Sequence, residues 1–244
     1  MVITEDILKR AQSLNEIAET LSARDIISLV YENIEGEKVL SMSLQAEDIL
    51  IAHYILNSNM PLTIYSLDTG RLHPETYQMI DRLRERFKIN LKIYSPSETE
   101  LEKLTTASGM YSFKNSPEQR KQCCHIRKVE PNRRALKNAA VWFTGIRRDM
   151  SEERRNTPII QFEPELGLVK VSPLANTTRQ QVLEETDIHK LPLHPLYAKG
   201  FRSIGCEPCT RAISDEEDER AGRWWWESSD HKECGLHLGP PLNK

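Results

Sequence analysis

The chain reads as an α/β protein, a doubly wound, mostly parallel sheet flanked by helices with a C-terminal arm. Three observations point there. Short apolar runs alternate with longer segments of helical period between residues 38 and 146, and strand followed by helix, repeated, builds a parallel sheet. A length of 244 residues suits one sizeable core of ordinary α/β proportions. The segments leaving the apolar runs are rich in Ser, Thr, Gly, Asp and Arg, and in open α/β sheets the ligand-binding loops lie beyond the strand ends.

Residues 4–21 set Ile7, Leu8, Ala11, Leu14, Ile17, Ala18 and Leu21 at helical spacing, with Thr4 as the expected N-cap. A second helix follows over 24–33. The repeating part then runs strand 38–43, helix 47–56, strand 62–67, helix 74–87, strand 90–95 and a helix from residue 98. A helix over 127–138 precedes a further buried strand over 141–146, giving at least four strands. Past Val171 the pattern weakens to a short helix over 178–187 and a proline-rich loop around Pro192 and Pro195. An acidic stretch over 215–219 then leads to Trp224, Trp225 and Trp226, which are expected to pack the arm against the sheet. One domain is expected, with N-terminal helices over 1–36, a core over 37–214 and an arm over 215–244.

The formal net charge of -3 argues against a general nucleic-acid or membrane-surface binder, although basic residues gather between Arg120 and Arg155. A small anion is the better partner for that cluster. No apolar run reaches the length of a bilayer span, and the first residues lack the pattern of a secretion signal. A cytoplasmic location is expected. In a reducing compartment the five cysteines are better read as metal ligands or catalysts than as a disulfide framework.

Those cysteines divide four and one. Cys123 and Cys124 are adjacent, Cys206 and Cys209 form a Cys-x-x-Cys pair, and Cys234 stands alone near the C-terminus. Four thiolates satisfy either a structural zinc or a [4Fe-4S] cluster. Adjacent cysteines crowd a single ion, whereas the separate iron corners of a cluster accept neighbours on the chain, so the cluster is the first reading and zinc the second. Two unrelated buried pairs come third. Cys234 lies in polar sequence beside His231, Lys232 and His237, and cations favour the thiolate that acts as a nucleophile.

Three strand-end segments carry hydroxyls or cations: residues 41–48, 67–71 and 144–148. Taken alone, Ser41 and Ser43 turn the chain and cap a helix. Taken together with their neighbours, these strings resemble the adenylyl-sulfate reductase branch of the phosphosulfate reductase family, whose adenine-nucleotide fold is related to that of the PP-loop ATP pyrophosphatases. The likeness runs from about residue 40 to residue 237. Its carriers are Ser-Met-Ser-Leu-Gln-Ala-Glu-Asp at 41–48, Leu-Asp-Thr-Gly-Arg-Leu-His-Pro-Glu-Thr-Tyr at 67–77, Lys-Val-Glu-Pro at 128–131, Thr-Gly-Ile-Arg-Arg-Asp at 144–149, Ile-Gly-Cys-Glu-Pro-Cys-Thr at 204–210 and Glu-Cys-Gly-Leu-His at 233–237. The Ser-Gly-Gly-x-Asp-Ser loop of the ATP-cleaving relatives is absent, with Leu44, Gln45 and Ala46 in its stead.

The resemblance implies that Cys234 is the catalytic nucleophile and that Cys123, Cys124, Cys206 and Cys209 hold a [4Fe-4S] cluster. It assigns Lys128, Arg154, Arg220, Arg223 and His237 to the phosphosulfate, with Arg155 the neighbour that competes with Arg154 for the role. Arg220 and Arg223, three apart, are expected on one face of a helix. Ser41, Ser43, Leu67, Thr69 and Gly145 are expected to line the nucleotide pocket, while Asp68 either meets ribose or holds its own turn. The implied activity is reduction of adenylyl sulfate to sulfite and AMP, with thioredoxin as reductant, in assimilation toward cysteine. Self-association is left open. Three other readings compete: a reductase of 3′-phospho-adenylyl sulfate, a PP-loop ATP-dependent sulfur-transfer or tRNA-thiolating enzyme, and a zinc-binding interaction module.

Overall fold

In the computed structural model, which describes residues 2–227 and 233–236, six strands form one sheet. They are β1 (Glu37–Ser41), β2 (Thr63–Leu67), β3 (Lys92–Tyr94), β4 (Ala139–Phe143), β5 (Ile160–Glu163) and β6 (Leu168–Val171). Their order is β3-β2-β1-β4-β6-β5. Every pairing is parallel except that of β5 with β6. This is the doubly wound, mostly parallel arrangement read from the strand-helix alternation.

Eight α-helices accompany the sheet among the described residues: α1 (Val2–Ala18), α2 (Ala23–Asn33), α3 (Ala46–Asn57), α4 (Pro74–Phe87), α5 (Glu98–Ser108), α6 (Pro117–Cys124), α7 (Glu130–Ala135) and α8 (Arg179–Ile188). Neighbouring residues of a strand point to opposite faces, so β1, β2, β4 and β6 each feed two cores. Leu40, Ile64, Val141, Phe143, Val169 and Val171 enter the larger one, with Ala11 and Leu14 of α1, Ile49, Ala52 and Ile55 of α3 and Val182 of α8. Val39, Tyr65, Trp142 and Leu168 face the other way and close a smaller core with Leu136. Helix α3 is buried from Ala46 to Ile55, so nearly its whole circumference is enclosed, with the polar Glu47, Asp48 and His53 included. Each large apolar side chain buried in these layers contributes about 1.5–3 kcal/mol toward holding the strand ends in register.

Several expected boundaries move. Helix α1 opens at Val2, ahead of the expected cap Thr4. The helix expected over 127–138 begins ten residues earlier: α6 is capped by Ser116 and opened by Pro117, passes into a π-helical turn over His125–Val129, and continues as α7. Cys123 and Cys124 are therefore helical and buried. The fifth and sixth strands form a hairpin around Gly167, whose φ of 67° requires glycine's freedom. Among the described residues no helix is long and apolar enough to cross a membrane.

Candidate active site

At β1 the sheet reverses its winding, with β2 on one side and β4 on the other, and ligands of such sheets bind at this switch point. A cleft opens there, enclosing about 1200 Å³ of empty space including its mouth. Ser41, Ser43, Leu67, Thr69, Lys128, Gly145, Arg154, Arg220, Arg223 and Cys234 all line it. His237 lies outside the described residues. Ten positions scattered over nearly two hundred residues of sequence thus converge on one cavity.

The floor is built from the ends of β1 and β4. Ser41 Oγ accepts a hydrogen bond from Trp142 Nε1 at 2.8 Å. Ser43 donates its N–H to Asp48 Oδ2 at 2.6 Å, and its hydroxyl donates to the same oxygen. Between them Leu44 takes φ 68°, a left-handed conformation that glycine adopts more readily. Gln45 bridges outward: its Nε2 donates to Ser43 Oγ at 3.2 Å and its Oε1 accepts from Ile204 N at 2.8 Å, so the floor is tied to the Cys206 loop. A Cβ at Gly145 would stand 2.3 Å from Asp48 Oδ1 and 2.8 Å from Glu47 Cβ, so only glycine fits. Burial pushes Asp48 up to about 7, against the opposing pull of the two Ser43 hydrogen bonds. Asp68 accepts from Gly70 N at 2.8 Å and from the Tyr77 hydroxyl at 2.9 Å, which holds the turn that presents Thr69.

Beside this cleft lies a second cavity lined by Cys123, Cys124, Cys206 and Cys209 together with Arg71, Arg120, Arg127, Lys128, Arg223, Phe113 and Trp224. All four thiols are buried in one apolar cluster with Leu104, Phe113 and Trp224. Burial pushes Cys209 up to about 12 and raises Cys123 and Cys124. Cys206 goes the other way: burial opposes it, but Lys128, the Thr69 hydroxyl, Arg223 and Arg127 hold it below its ordinary value. Burial alone would depress Lys128, yet the Cys206, Cys234 and Cys124 sulfurs hold it above. Among the described residues no three His, Cys, Asp or Glu are grouped so as to hold a single metal ion.

The arm closes both cavities. Trp224 N donates to Cys209 O at 3.1 Å, and Thr210 bridges antiparallel to Arg223. Arg220 and Arg223 thus sit in a hydrogen-bonded turn rather than on a helix, and both still reach the cleft. Trp224 packs against the cysteines, not the sheet, with φ 44° held by that packing, while Trp225 stays exposed. Arg154 Nε meets Glu233 Oε1 at 3.0 Å, whereas Arg155 pairs with Glu152 on the surface. Of the two arginines, Arg154 faces the cleft.

Charged residues outside the expected set turn out to hold these parts together. Arg147 is wholly buried and joins Glu47 (2.8 Å), Asp149 and Glu219 (2.6 Å), so α3, the end of β4 and the arm share one guanidinium. Arg120 pairs with Glu227 through Nε (2.8 Å) and Nη2 (2.9 Å), donates from Nη1 to Glu233 O (2.6 Å), and lies 4.5 Å from the Trp224 ring centre. The available signal was the density of arginine after β4, at 147, 148, 154 and 155, whereas Arg120 is the single arginine of α6. Which of them turn inward depends on carboxylates a hundred residues away.

Residues 37–212 match the phosphoadenosine phosphosulfate reductase domain. A Burkholderia cepacia protein named adenosine 5'-phosphosulfate reductase is 48% identical over 196 residues, covering 80% of this chain and 78% of its own. A protein of the same name from Sinorhizobium fredii strain USDA 257 is 38% identical over 235 residues, covering 96% and 93%. In the solved phosphoadenylyl-sulfate reductase of Candida auris, a phosphate complex, the fold recurs with a TM-score of 0.70 at 22% identity, over 84% of this chain and 97% of that one. An FMN adenylyltransferase of Candida glabrata shares the fold more loosely, with a TM-score of 0.54 at 14% identity over 98% and 86%. With the domain match covering most of its length and relatives of this identity across nearly all of it, the chain belongs to the phosphoadenosine phosphosulfate reductase family.

Proposed function

We propose that this protein reduces adenylyl sulfate to sulfite and AMP in the cytoplasm, with thioredoxin as the reductant, in assimilation toward cysteine. The observation that carries the reading is the position of Cys234: it lines a nucleotide-sized cleft together with Lys128, Arg154, Arg220 and Arg223. A thiolate facing clustered cations suits attack on a sulfur flanked by anionic oxygens. The names of the relatives support adenylyl sulfate as the substrate.

In this scheme the Cys234 thiolate attacks the sulfate sulfur, an S–S bond forms, and the S–O bond to AMP breaks with its electron pair leaving on AMP. Lys128 and the arginines take up the charge that develops on the departing phosphate. The floor residues Ser41, Ser43, Leu67, Thr69 and Gly145 orient the nucleotide, and His237 adds a contact to the phosphosulfate. A thioredoxin thiolate then attacks Cys234 Sγ and releases sulfite with the S–S electron pair. The second thioredoxin thiol resolves the mixed disulfide, so a dithiol becomes a disulfide as sulfur is reduced by two electrons.

Cys123, Cys124, Cys206 and Cys209 are proposed to hold a [4Fe-4S] cluster. The donor set fits: four thiols line one apolar cavity ringed by cations. Arg127 Nε, Arg223 Nε and Trp224 Nε1, all on residues of that cavity, find no hydrogen-bond acceptor among the described residues, and cluster sulfurs are suitable acceptors. When bound, such a cluster supplies a compact charged centre that fixes α6 and the Cys206 loop beside Lys128. The test is an anaerobic assay of thioredoxin-dependent sulfite formation from adenylyl sulfate and from its 3′-phosphorylated form. Cys234→Ser is expected to bind nucleotide and release no sulfite; undiminished turnover in that variant refutes the nucleophile assignment.

A further inference from the structure

Arg154 and Arg220, two of the cations proposed above to hold the phosphosulfate, already share a carboxylate. Glu233 Oε1 stands 3.0 Å from Arg154 Nε and 3.2 Å from Arg220 Nη2, and Glu233 Oε2 stands 3.3 Å from Arg154 Nη2. All three side chains are close to nine-tenths buried, and all three line the cleft. Burial pulls the Arg220 guanidinium down to about 10, with Arg154 adding to the shift and Glu233 opposing it. Two guanidiniums this enclosed are costly to leave without an anion. An anionic ligand that takes the same edges of these guanidiniums must exchange with the carboxylate already there.

Resting on the functional reading above, we infer that Glu233 is an internal competitor for the anion clamp, displaced from Arg154 and Arg220 by the phosphosulfate of the substrate. The exchange takes place one residue from the nucleophile. It does not free that segment, because a second anchor grips the backbone: Arg120 Nη1 donates to the Glu233 carbonyl at 2.6 Å. The side chain can therefore leave the arginines while Cys234 stays tethered at the cleft. The competitor also sets a threshold, since a ligand must offer more than one carboxylate's worth of charge and hydrogen bonding to take the clamp. Adenosine, lacking a phosphate, has no means to displace Glu233.

The test is equilibrium binding of adenylyl sulfate by calorimetry in a Cys234→Ser background, where no turnover interferes, compared with Cys234→Ser/Glu233→Gln. The neutral amide does not compete with an anion for two guanidiniums, so the double variant is expected to bind about tenfold tighter, the equivalent of one buried charge contact of about 1.4 kcal/mol. Its affinity is also expected to fall more steeply with added salt, because the parent trades one ion pair for another and the variant gains one outright. Adenosine affinity is expected to be the same in both. Equal or weaker binding of adenylyl sulfate by the Gln variant at an unchanged melting temperature overturns the inference, because Glu233 then orders the arginines instead of competing for them. If the Gln variant melts early, Glu233→Asp decides: its shorter arm weakens the grip and must tighten binding, and equal binding overturns the inference. A Cys234→Ser parent that binds ATP but not adenylyl sulfate overturns the proposed function instead, so the two failures are separable.

Discussion

Asp48 ties the stability of this fold to pH. Its carboxyl lies at the third position of α3, turned back onto Ser43 and enclosed beneath Gly145. Burial raises it from 3.8 to about 7, with the Ser43 hydrogen bonds opposing. A carboxyl whose pKa is raised on folding favours the protonated native state, so its contribution is fully present below the unfolded value and is lost as pH rises through the folded one. At about 1.36 kcal/mol per unit, the gap between 3.8 and about 7 amounts to roughly 4 kcal/mol, of which about 2 kcal/mol falls between about pH 5.5 and about pH 8. Asp48→Asn keeps an oxygen for Ser43 N–H and removes the titration. Urea unfolding at the two pH values is the assay. The variant's stability relative to the parent is expected to improve by about 2 kcal/mol on going from the lower pH to the higher. A difference that is the same at both, or that shrinks as pH rises, refutes the reasoning.

Three further outcomes follow from the packing. Arg147→Met strips Glu47 and Glu219 of their shared guanidinium and is expected to cost about 3–5 kcal/mol in chemical denaturation; a loss below about 1 kcal/mol counts against the hub role. Gly145→Ala drives a methyl into Asp48 and Glu47 and is expected to cost about 1–3 kcal/mol and to weaken AMP binding together, so normal AMP affinity contradicts the geometry of the floor. Cys209→Ser is expected to lose iron content, visible absorbance and thermal stability in one step, whereas Cys234→Ser keeps all three. Full iron in the Cys209 variant, or a colourless parent carrying stoichiometric zinc after anaerobic purification, removes the cluster assignment.

Much of this was legible because the signals were local. Strand-helix alternation over 38–94 needs only a window of a dozen residues, and the strand ends it fixes are where Ser41, Ser43, Leu67 and Thr69 meet the cleft. The hairpin of β5 and β6 escaped because Ile160–Glu163 is a partly exposed edge strand with two polar residues in four. The helix expected over 127–138 is one stretch of a longer helical run: Pro131 sits in the first turn of α7 after a π-helical turn that joins it to α6, so the helix holding Cys123 and Cys124 runs on from upstream. The arm failed the same way: Arg220 and Arg223 at helical spacing look alike in a helix and in a tight turn. Inward-facing Arg120 and Arg147 depend on Glu227, Glu47 and Glu219, and no local pattern reports partners so distant.

Lys128 and Arg223 line both the cleft at the strand ends and the cysteine cavity, and so form a party wall. A wall made of two cations does not insulate. Charge gained or lost on the sulfur side changes how strongly those same ammonium and guanidinium groups attract an anion on the other, and linkage makes the effect equal in both directions. Filling the cleft with an anion must therefore make negative charge on the sulfur side harder to hold by the same free energy. The chain thus has two rooms but one electrostatic account, and neither can be retuned by mutation without moving the other.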